Sequence, residues 1–332
     1  MADDRQQNTH SRLTAPRRRV LAVAALTPVL TGAPAAAGAV PARRAPRALV
    51  QPVMTRLADW TDVGRALGRL GDMKRFMYHT GLPRRDLRVF SHGVRIKPAL
   101  ALGTHVSFVR YADHSTLLMG DVVVTEHELQ EFIDVLHKHG IMLTAIHKHL
   151  LAHEPNVWWI HVHAHGHDPV AVAEGLRAAF DRTGTPPAVP VQAARPGALD
   201  TAAIDAALGV KGYFDEEIYK CTYVRRETIA DGHLMLPPGL GATTSANFQP
   251  LGGGRAALSG DLVMTAQEVQ PALVALRRGG AELVEVHHHN LTDDPRLFFV
   301  HYWAVGDAVR LSKGLRRAVD TTNVVPMSGG AG

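Results

Sequence analysis

The chain contains the same pattern twice, and this duplication restricts the folds open to it more than any other feature. Residues 119–164, "MGDVVVTEHELQEFIDVLHKHGIMLTAIHKHLLAHEPNVWWIHVHA", align without a gap with residues 259–304, "SGDLVMTAQEVQPALVALRRGGAELVEVHHHNLTDDPRLFFVHYWA", at an offset of 140. The match continues upstream, where "MYHTGLPRRDL" resembles "IYKCTYVRRETI". A unit of this length is the size of an ordinary domain, so the chain is expected to fold as two similar halves.

Each copy shows the same succession of strand and helix patterns. A β-rich run, "LLMGDVVV" or "AALSGDLVM", leads into a helix that begins at a Thr-x-x-Glu capping box, at 125–128 or 265–268, and ends at a glycine. Two strands joined by a turn, a helix through "GLRAAF" or "GLRRAV", and a fourth strand at "AVPV" or "VVPM" complete each unit. This order predicts an α+β fold made of two tandem ferredoxin-like βαββαβ repeats, with their sheets facing each other as an intrachain pseudo-dimer.

The repeat and its flanks divide the chain into an export signal at 1–39, a linker at 40–57, repeat unit 1 at 58–192, a joint at 193–199 and repeat unit 2 at 200–328. In the first segment, three arginines precede the apolar run "VLAVAALTPVL", and small residues offer cleavage after Ala37 or Ala39. The run is too short to span a bilayer, so we expect a secreted protein that leaves by the twin-arginine route. The alternatives are the general export route and a disordered arm with an apolar patch.

Charge and cysteine content exclude several classes of protein. The formal net charge is +5, of which the first forty residues contribute three through five arginines and two aspartates, so the remainder carries about +2 without a basic stripe. We therefore expect no nucleic-acid partner. Cys221 is the single cysteine, which excludes an internal disulfide and any site built from several thiolates. Beyond the first segment no run approaches eighteen apolar residues, so no membrane span is expected.

Histidines are concentrated in one stretch, "IHKHLLAHEPNVWWIHVHAHGH" at 146–167, where seven occur among 22 residues. Strand alternation places His147 and His149 on one face of the first strand and His161 on the same face of its partner, opposite the apolar residues that should pack under the helices. In that scheme Leu143 shares the histidine face. The second copy gives the same assignment, with Val284 and Val286 facing the helices and the histidines opposite: His287, His289 and His301.

Three imidazoles at this spacing are a ligand set for zinc, copper, iron or nickel. A hairpin folded about Glu154 would place His147 directly opposite His161, within reach of a common ion. We predict a divalent transition metal, zinc or copper, on the trio of each copy, bound more tightly in the first, where His163 and His165 replace Trp303 and Val305. The predicted ligands are His147, His149 and His161, and His287, His289 and His301. The alternative is a polar sheet face whose histidines bond to each other or to carboxylates.

Other polar residues that occur in both copies are candidates for binding substrate. Tyr78 and Arg85 could hold a carboxylate or phosphate, whereas the simpler interpretation ties an arginine of this pair to a neighbouring acid such as Asp86. His163 is predicted either as a fourth metal ligand or as a substrate contact. Two aspartates that follow glycines are interpreted as bends, Asp121 and Asp261. Four histidines without a histidine counterpart are predicted to lie on the surface: His137, His139, His153 and His167.

The chain resembles the LppY/LpqO family of uncharacterised bacterial exported proteins and lipoproteins. The resemblance is carried by "TAIHKHL" and "IHVHAHG" in the first copy and by "GDLVMTAQEVQPALVALRRGGAELVEVHHHNL" and "DDPRLFFVHYWAVGDAVRLSKGLRRAVDTT" in the second, and covers nearly all of the chain after the export signal. It implies a duplicated domain without an established reaction. The chain departs from that family in lacking a cysteine for lipidation and in having His163 where an acidic residue is common, which implies free secretion and a more histidine-rich first site.

These observations are compatible with three functions. In a secreted metalloenzyme, the metal would activate water against an anionic extracellular substrate such as a polysaccharide, with Arg85 or Tyr78 orienting it. A binding protein would hold a metal, a small molecule or a polysaccharide without turnover, and the lack of a predicted acid or base carboxylate beside the histidines favours it. A structural module would pack its histidine-rich faces together.

The export signal makes a direct prediction about the mature chain. Cleavage at the small-residue stretch should give a protein that begins between about residues 36 and 42. N-terminal sequencing of protein recovered from the culture medium measures this. A secreted chain that still begins near Met1 would contradict the prediction.

Overall fold

Each copy folds into an antiparallel sheet with helices on one of its faces. The structure is a computed structural model that describes residues 48–189 and 198–327, so the predicted export signal and most of the joint lie outside the described residues. None of the helices in these ranges is long and apolar enough to cross a membrane. The helices are a 3-10 turn at Leu57–Trp60, α1 at Thr61–Leu67, α2 at Pro98–Ala101, α3 at Leu129–Lys138, α4 at Pro169–Phe180, α5 at Thr201–Leu208, α6 at Ala266–Arg278 and α7 at Ala308–Val319.

The strands follow the repeat. Those of the first copy are β1 at Asp72–Lys74, β2 at Met77–Pro83, β3 at Phe90–Ser91, β4 at Val94–Arg95, β5 at Gly103–Arg110, β6 at Thr116–Thr125, β7 at Met142–His147, β8 at His153–Glu154 and β9 at Val157–Gly166. Those of the second copy are β10 at Tyr213–Asp215, β11 at Ile218–Arg225, β12 at Ala230–Asp231, β13 at Leu234–Met235, β14 at Thr243–Gly252, β15 at Arg255–Met264, β16 at Glu282–His287, β17 at Asp293–Asp294, β18 at Phe298–Asp307 and β19 at Val324–Pro326.

The two main sheets have equivalent strand orders. They are β1-β2-β5-β6-β9-β7 and β10-β11-β14-β15-β18-β16. The duplication and the α+β class are therefore as predicted, but the fourth strand is not. The position beside β6 is occupied by β5, which pairs with it over six residues, whereas β19 lies beside β11 and residues 188–189 form no strand. A strand of eight residues offers more backbone hydrogen bonds to β6 than a three-residue segment could.

Hydrophobic residues pack in layers on both sides of each sheet. One core in each copy lies between sheet and helices, with Phe132 and Ile160 in the first and Leu276 and Tyr302 in the second. Two further clusters contain residues of both copies, including Met119 with Phe299, and Trp159 with Trp303. The sheets therefore pack against each other through the faces opposite the longer helices, with the short α2 between them, and this interface contains the histidines.

The edge strands β7 and β16 each contain a β-bulge, at Thr144 and Val284. The extra residue shifts the register, so His147 pairs with Trp159 and not with His161 as predicted. The hydroxyl of Thr144 turns toward the other copy, where it donates a hydrogen bond to the carbonyl of His289 at 2.6 Å. The predicted histidine pairs are consequently diagonal neighbours on the sheet.

The same bulges correct two predicted side-chain directions. Leu143, expected on the histidine face, packs into the helix-facing core of the first copy. Val284, expected under the helices, packs against the cluster between the sheets, and Val286 is 45% exposed at the sheet edge. An inserted residue reverses the alternation of every residue before it, which period-two patterning cannot anticipate.

A buried arginine ties each sheet to the helix that follows it. Arg84 is 1% exposed and donates hydrogen bonds to Asp86 at 2.8 Å and to Glu128 at 2.7 Å. Arg225 makes the equivalent pairs in the second copy, with Glu227 and Glu268. Glu128 also accepts a hydrogen bond from the backbone N–H of Thr125, which forms half of the predicted capping box, and the box at 265–268 is complete. The arginine is therefore structural, as the simpler interpretation held.

Removing one acid of this network should destabilise the fold. Changing Glu128 to Ala leaves the buried guanidinium with one carboxylate, so we expect the free energy of unfolding in urea to fall by about 3–5 kcal/mol. Glu131, exposed on the same helix, is the matched control, and its change to Ala should cost less than about 0.5 kcal/mol. Equal effects of the two changes would contradict a structural role for the ion pair.

The destabilisation should also depend on pH. Burial acts to raise the pKa of Glu128, but hydrogen bonds from Arg84 and backbone amides outweigh it and hold the pKa below its usual value. A carboxyl group whose pKa is lower in the folded state stabilises the fold above its unfolded pKa of about 4.3, and this contribution is lost as the pH falls through the folded value. The difference between parent and Glu128→Ala should thus be constant above about pH 5 and shrink below about pH 4.

Candidate metal centre

Six histidines from both copies meet in one cluster between the two sheets. His147 and His287 end the edge strands β7 and β16, and their rings stack at the centre with centroids 4.1 Å apart. The remaining four come from the residues just after these strands and from β9 and β18: His149, His289, His161 and His301. The six residues are those predicted as ligands, and sheet packing explains why they converge.

The cluster is cross-connected between the copies. His149 lies beside His301, and His161 beside His289, with ring centroids 3.9 Å apart in both cases. The prediction of a separate trio in each copy is therefore wrong. Among the described residues, three groups have ligand atoms within 4.8 Å of one another: His147, His287 and His301; His161, His287 and His289; and Asp121, His147 and His161. The two all-histidine groups draw on both copies.

Several nitrogen atoms in the cluster are buried without a hydrogen-bond partner. The orphaned ring atoms are His147 Nδ1, His161 Nε2, His301 Nε2 and both ring nitrogens of His287. Neighbouring carbonyls explain the direction of some rings, because Nδ1 of His301 lies 3.3 Å from the Gly260 carbonyl and Nδ1 of His289 lies 3.1 Å from the Gly241 carbonyl. An N–H donated to a carbonyl leaves the lone pair of the other nitrogen aimed into the cluster.

Burial keeps these imidazoles neutral. Desolvation, followed by repulsion from neighbouring histidines, lowers the pKa of His147 and His289 well below the usual value. For His161, desolvation outweighs the attraction of Asp121 and lowers the pKa to about 4. Neutral imidazole is the form that ligates metal, so the ligands are deprotonated before any ion arrives.

The sequence interpretation of two aspartates beside the cluster was wrong. Asp121 and Asp261 lie inside β6 and β15, paired with His161 and His301, and are not bends. Burial raises the pKa of both, and that of Asp261 reaches about 7. The preceding glycine is required because a Cβ at Gly120 would lie 2.7 Å from a neighbouring backbone oxygen. The occurrence of Gly-Asp in both copies, opposite a histidine, was the available signal.

The aspartates differ in their partners. Oδ2 of Asp121 lies 3.1 Å from Nε2 of His149, and its Oδ1 is buried without a partner. Asp261 accepts a hydrogen bond from Ser245 Oγ at 2.6 Å. The residue equivalent to Ser245 is His105, which has no hydroxyl to offer. The Oδ1 atoms of the two aspartates therefore differ, because that of Asp121 is buried without a partner and that of Asp261 accepts from a serine.

The other predicted site residues lie elsewhere. Tyr78 is 1% exposed, accepts a hydrogen bond from the backbone N–H of Gly71 and stacks on Trp60, so it belongs to the core. His163 is not in the cluster, because its Nε2 bonds Asp231 of the other copy at 2.6 Å. Arg85 forms an ion pair with Glu216 across the interface and lines the adjoining cavity.

One of the four histidines predicted on the surface is buried. His153 is 8% exposed, and its ring nitrogens lie 3.0 Å and 3.1 Å from the carbonyls of Leu150 and Val157, so it braces the turn between the hairpin strands. A turn position gave no sign of this local bonding. The other three are exposed as predicted: His137, His139 and His167.

A cavity of about 790 Å³ between the copies reaches the histidine cluster. Four cluster members line it: His149, His161, His289 and His301. Its lining is mixed in charge, with five basic residues, Arg69, Lys74, Arg85, Lys211 and Lys220, and five acidic ones, Asp72, Asp121, Asp215, Glu216 and Asp261. A ligand in this cavity would contact cationic side chains and the histidines together.

Microcompartment proteins are among the solved structures that the chain resembles, at very low TM-scores. The double ringed trimeric shell protein from the RMM microcompartment is 13% identical, with 62% of this chain and 82% of the other covered and a TM-score of 0.18. The trimeric bacterial microcompartment shell protein PduB is 9% identical, with 77% and 95% covered and a TM-score of 0.18. EutL from Clostridium perfringens is 12% identical, with 73% and 90% covered and a TM-score of 0.16. Such scores assign neither fold nor function.

No curated protein matches the chain. A family model matches it twice, over residues 61–182 and 202–321. Each match lies within one copy of the internal repeat, and together they cover most of the chain. The chain therefore belongs to the family described as Domain of Unknown Function (DUF1259), and it contains two copies of that domain.

Proposed function

We propose that the protein binds a divalent transition metal, zinc or copper, through histidines of both copies. The observation that carries this proposal is the set of buried ring nitrogens without partners in the central cluster, including both nitrogens of His287. A buried polar atom left unpaired costs about 1–3 kcal/mol, so several in one place favour the binding of a partner that can reach them all. A metal ion accepts lone pairs from several neutral imidazoles at once.

The alternative of a purely structural polar face is less well supported. On such a face the histidines would form hydrogen bonds with carboxylates or with each other. Among the described residues a single pair of cluster rings does so, His147 and His149, whose nitrogens lie 2.9 Å apart. Asp121 contacts a single cluster nitrogen at hydrogen-bond distance, and Asp261 is bonded to a serine. Ordered water is the remaining competitor, and metal-binding measurements distinguish the two.

Export remains part of this proposal. Residues 1–39 and the resemblance to the LppY/LpqO family support a secreted protein, in which the folded chain would meet metal outside the cell. The ferredoxin-like description also remains a proposal, supported by the β6-β9-β7 order around α3.

Replacing one central-strand histidine from each copy should abolish metal binding. The double change His161→Ala with His301→Ala removes a ligand from both all-histidine groups, so zinc titrated into tag-free protein should lose most of its binding heat. The matched control changes two exposed histidines of the helix region, His137→Ala with His139→Ala, and should keep the parent affinity. Equal losses in both variants, or no micromolar binding by the parent, would contradict the proposal.

A second candidate function is the binding of an anionic ligand at the metal, including turnover of an acidic polysaccharide. The cavity favours it because Lys74 lines the cavity and is partly buried. Loss of water around its ammonium group lowers its pKa, and an anionic ligand would replace that lost stabilisation. Asp215, the acid that acts most strongly on Lys74, is bonded to Lys220 at 2.7 Å, and Lys74 has no ion-pair partner within 4.0 Å among the described residues. A carboxylate of the ligand would supply that partner while another oxygen reached the metal.

This second function predicts charge selectivity in the cavity. Zinc-loaded protein should bind trigalacturonate and not maltotriose, and Lys74→Met should weaken trigalacturonate binding about tenfold, since one ion pair in a partly buried site contributes on the order of 1 kcal/mol or more. Lys313→Met, an exposed change on α7, serves as the control. Equal affinity for the neutral and acidic sugars in calorimetry would exclude an anion-selective cavity.

A further inference from the structure

We infer that the cluster is built for two metal ions, one on each of two equivalent histidine sets. This inference rests on the proposed metal binding and adds its stoichiometry and ligand sets. The first ion site is defined as His161, His287 and His289, and the second ion site as His147, His149 and His301. Together they use all six histidines once each.

The repeat relates the two sites residue by residue. The offset of 140 carries His161 onto His301, and it carries His147 and His149 onto His287 and His289. Sets exchanged by an approximate two-fold axis should have similar geometry, and a ligand arrangement present in one should recur in the other.

The ring separations follow this symmetry. In the first ion site the centroids are 3.9, 5.2 and 5.7 Å apart, for the pairs His161–His289, His287–His289 and His161–His287. In the second ion site the corresponding values are 3.9, 4.9 and 5.2 Å, for the pairs His149–His301, His147–His149 and His147–His301. By ring position each site is thus a trio that takes two ligands from one copy and one from the other. The ligand atoms of the first trio already lie within 4.8 Å of one another, whereas in the second His147 and His301 group with His287, so His149 must turn its ring to take that place.

Ligand number also favours two ions. Zinc in proteins takes about four ligands, and catalytic sites hold it with three protein groups and leave one position to water or substrate. Six imidazoles exceed what one such ion accepts, whereas two sets of three match two ions. The cavity reaches both sites, through His149 and His301 on one side and His161 and His289 on the other.

Asp121 is positioned to join the two sites. Its ligand oxygen lies within 4.8 Å of ligand atoms on His147, of the second ion site, and His161, of the first. Oδ1 of Asp121 is buried without a hydrogen-bond partner. A carboxylate with two oxygens can ligate two neighbouring ions. Paired ions can stabilise both the attacking and the leaving oxygen when water displaces a group of the substrate.

The stoichiometry of zinc tests this inference. Tag-free protein saturated with zinc and passed through a desalting column should carry two ions per chain by mass spectrometry of the metal. His149→Asn and His289→Asn should each retain one ion, because each change removes a ligand from one site, and the double variant should retain neither. His137→Asn, on the exposed helix surface, is the control and should keep two.

Copper gives a second readout, and its signal in the parent protein does not depend on any variant folding. Two Cu²⁺ ions in adjacent sites should produce a half-field electron paramagnetic resonance line in the parent protein, absent from both single variants. One zinc ion per chain in the parent, or loss of all zinc from either single variant while it remains folded, would overturn the two-ion arrangement and leave metal binding intact. No zinc in the parent would overturn the proposed function as well.

Discussion

The packing of the two sheets against each other determines most of what is distinctive in this protein. Each copy places its longer helices on one face of its sheet, and the other face is covered mainly by the second copy. That contact withdraws six imidazoles from water and, because desolvation disfavours the charged form, keeps them neutral. Apolar rings enclose them, with Trp159 stacked on His149 and Phe299 on His289. A histidine-rich surface thereby becomes a buried ligand set.

Much of the local structure could be predicted because it depends on neighbours in sequence. The helix after β6 begins after 125–128 and ends before Gly140, whose positive φ of 68° suits glycine. The duplication allowed one assignment to check the other, and it placed the six histidines on one sheet face. The pairing of Arg84 with Asp86 was also predictable, since Asp86 lies two residues away, whereas the pairing with Glu128 was not.

The remainder depended on contacts distant in sequence or on a local irregularity. Nothing in the alternation reveals the bulges at Thr144 and Val284, which shift the register of the edge strands. His161 contacts His289, which lies 128 positions away in the sequence. Because the sequence patterns were interpreted within each copy separately, they grouped the histidines by copy. Asp121 was missed because a buried acid within an apolar strand looks like a turn residue when Gly precedes it.

The central claim is that histidines of both copies ligate the same metal ions across the sheet interface. Anomalous scattering measured on either side of the zinc absorption edge, from a crystal grown with zinc, tests it most directly. The account predicts two peaks inside the cluster, each coordinated by histidines of both copies. Zinc coordinated by the histidines of one copy alone, or peaks confined to the exposed histidines, would contradict it.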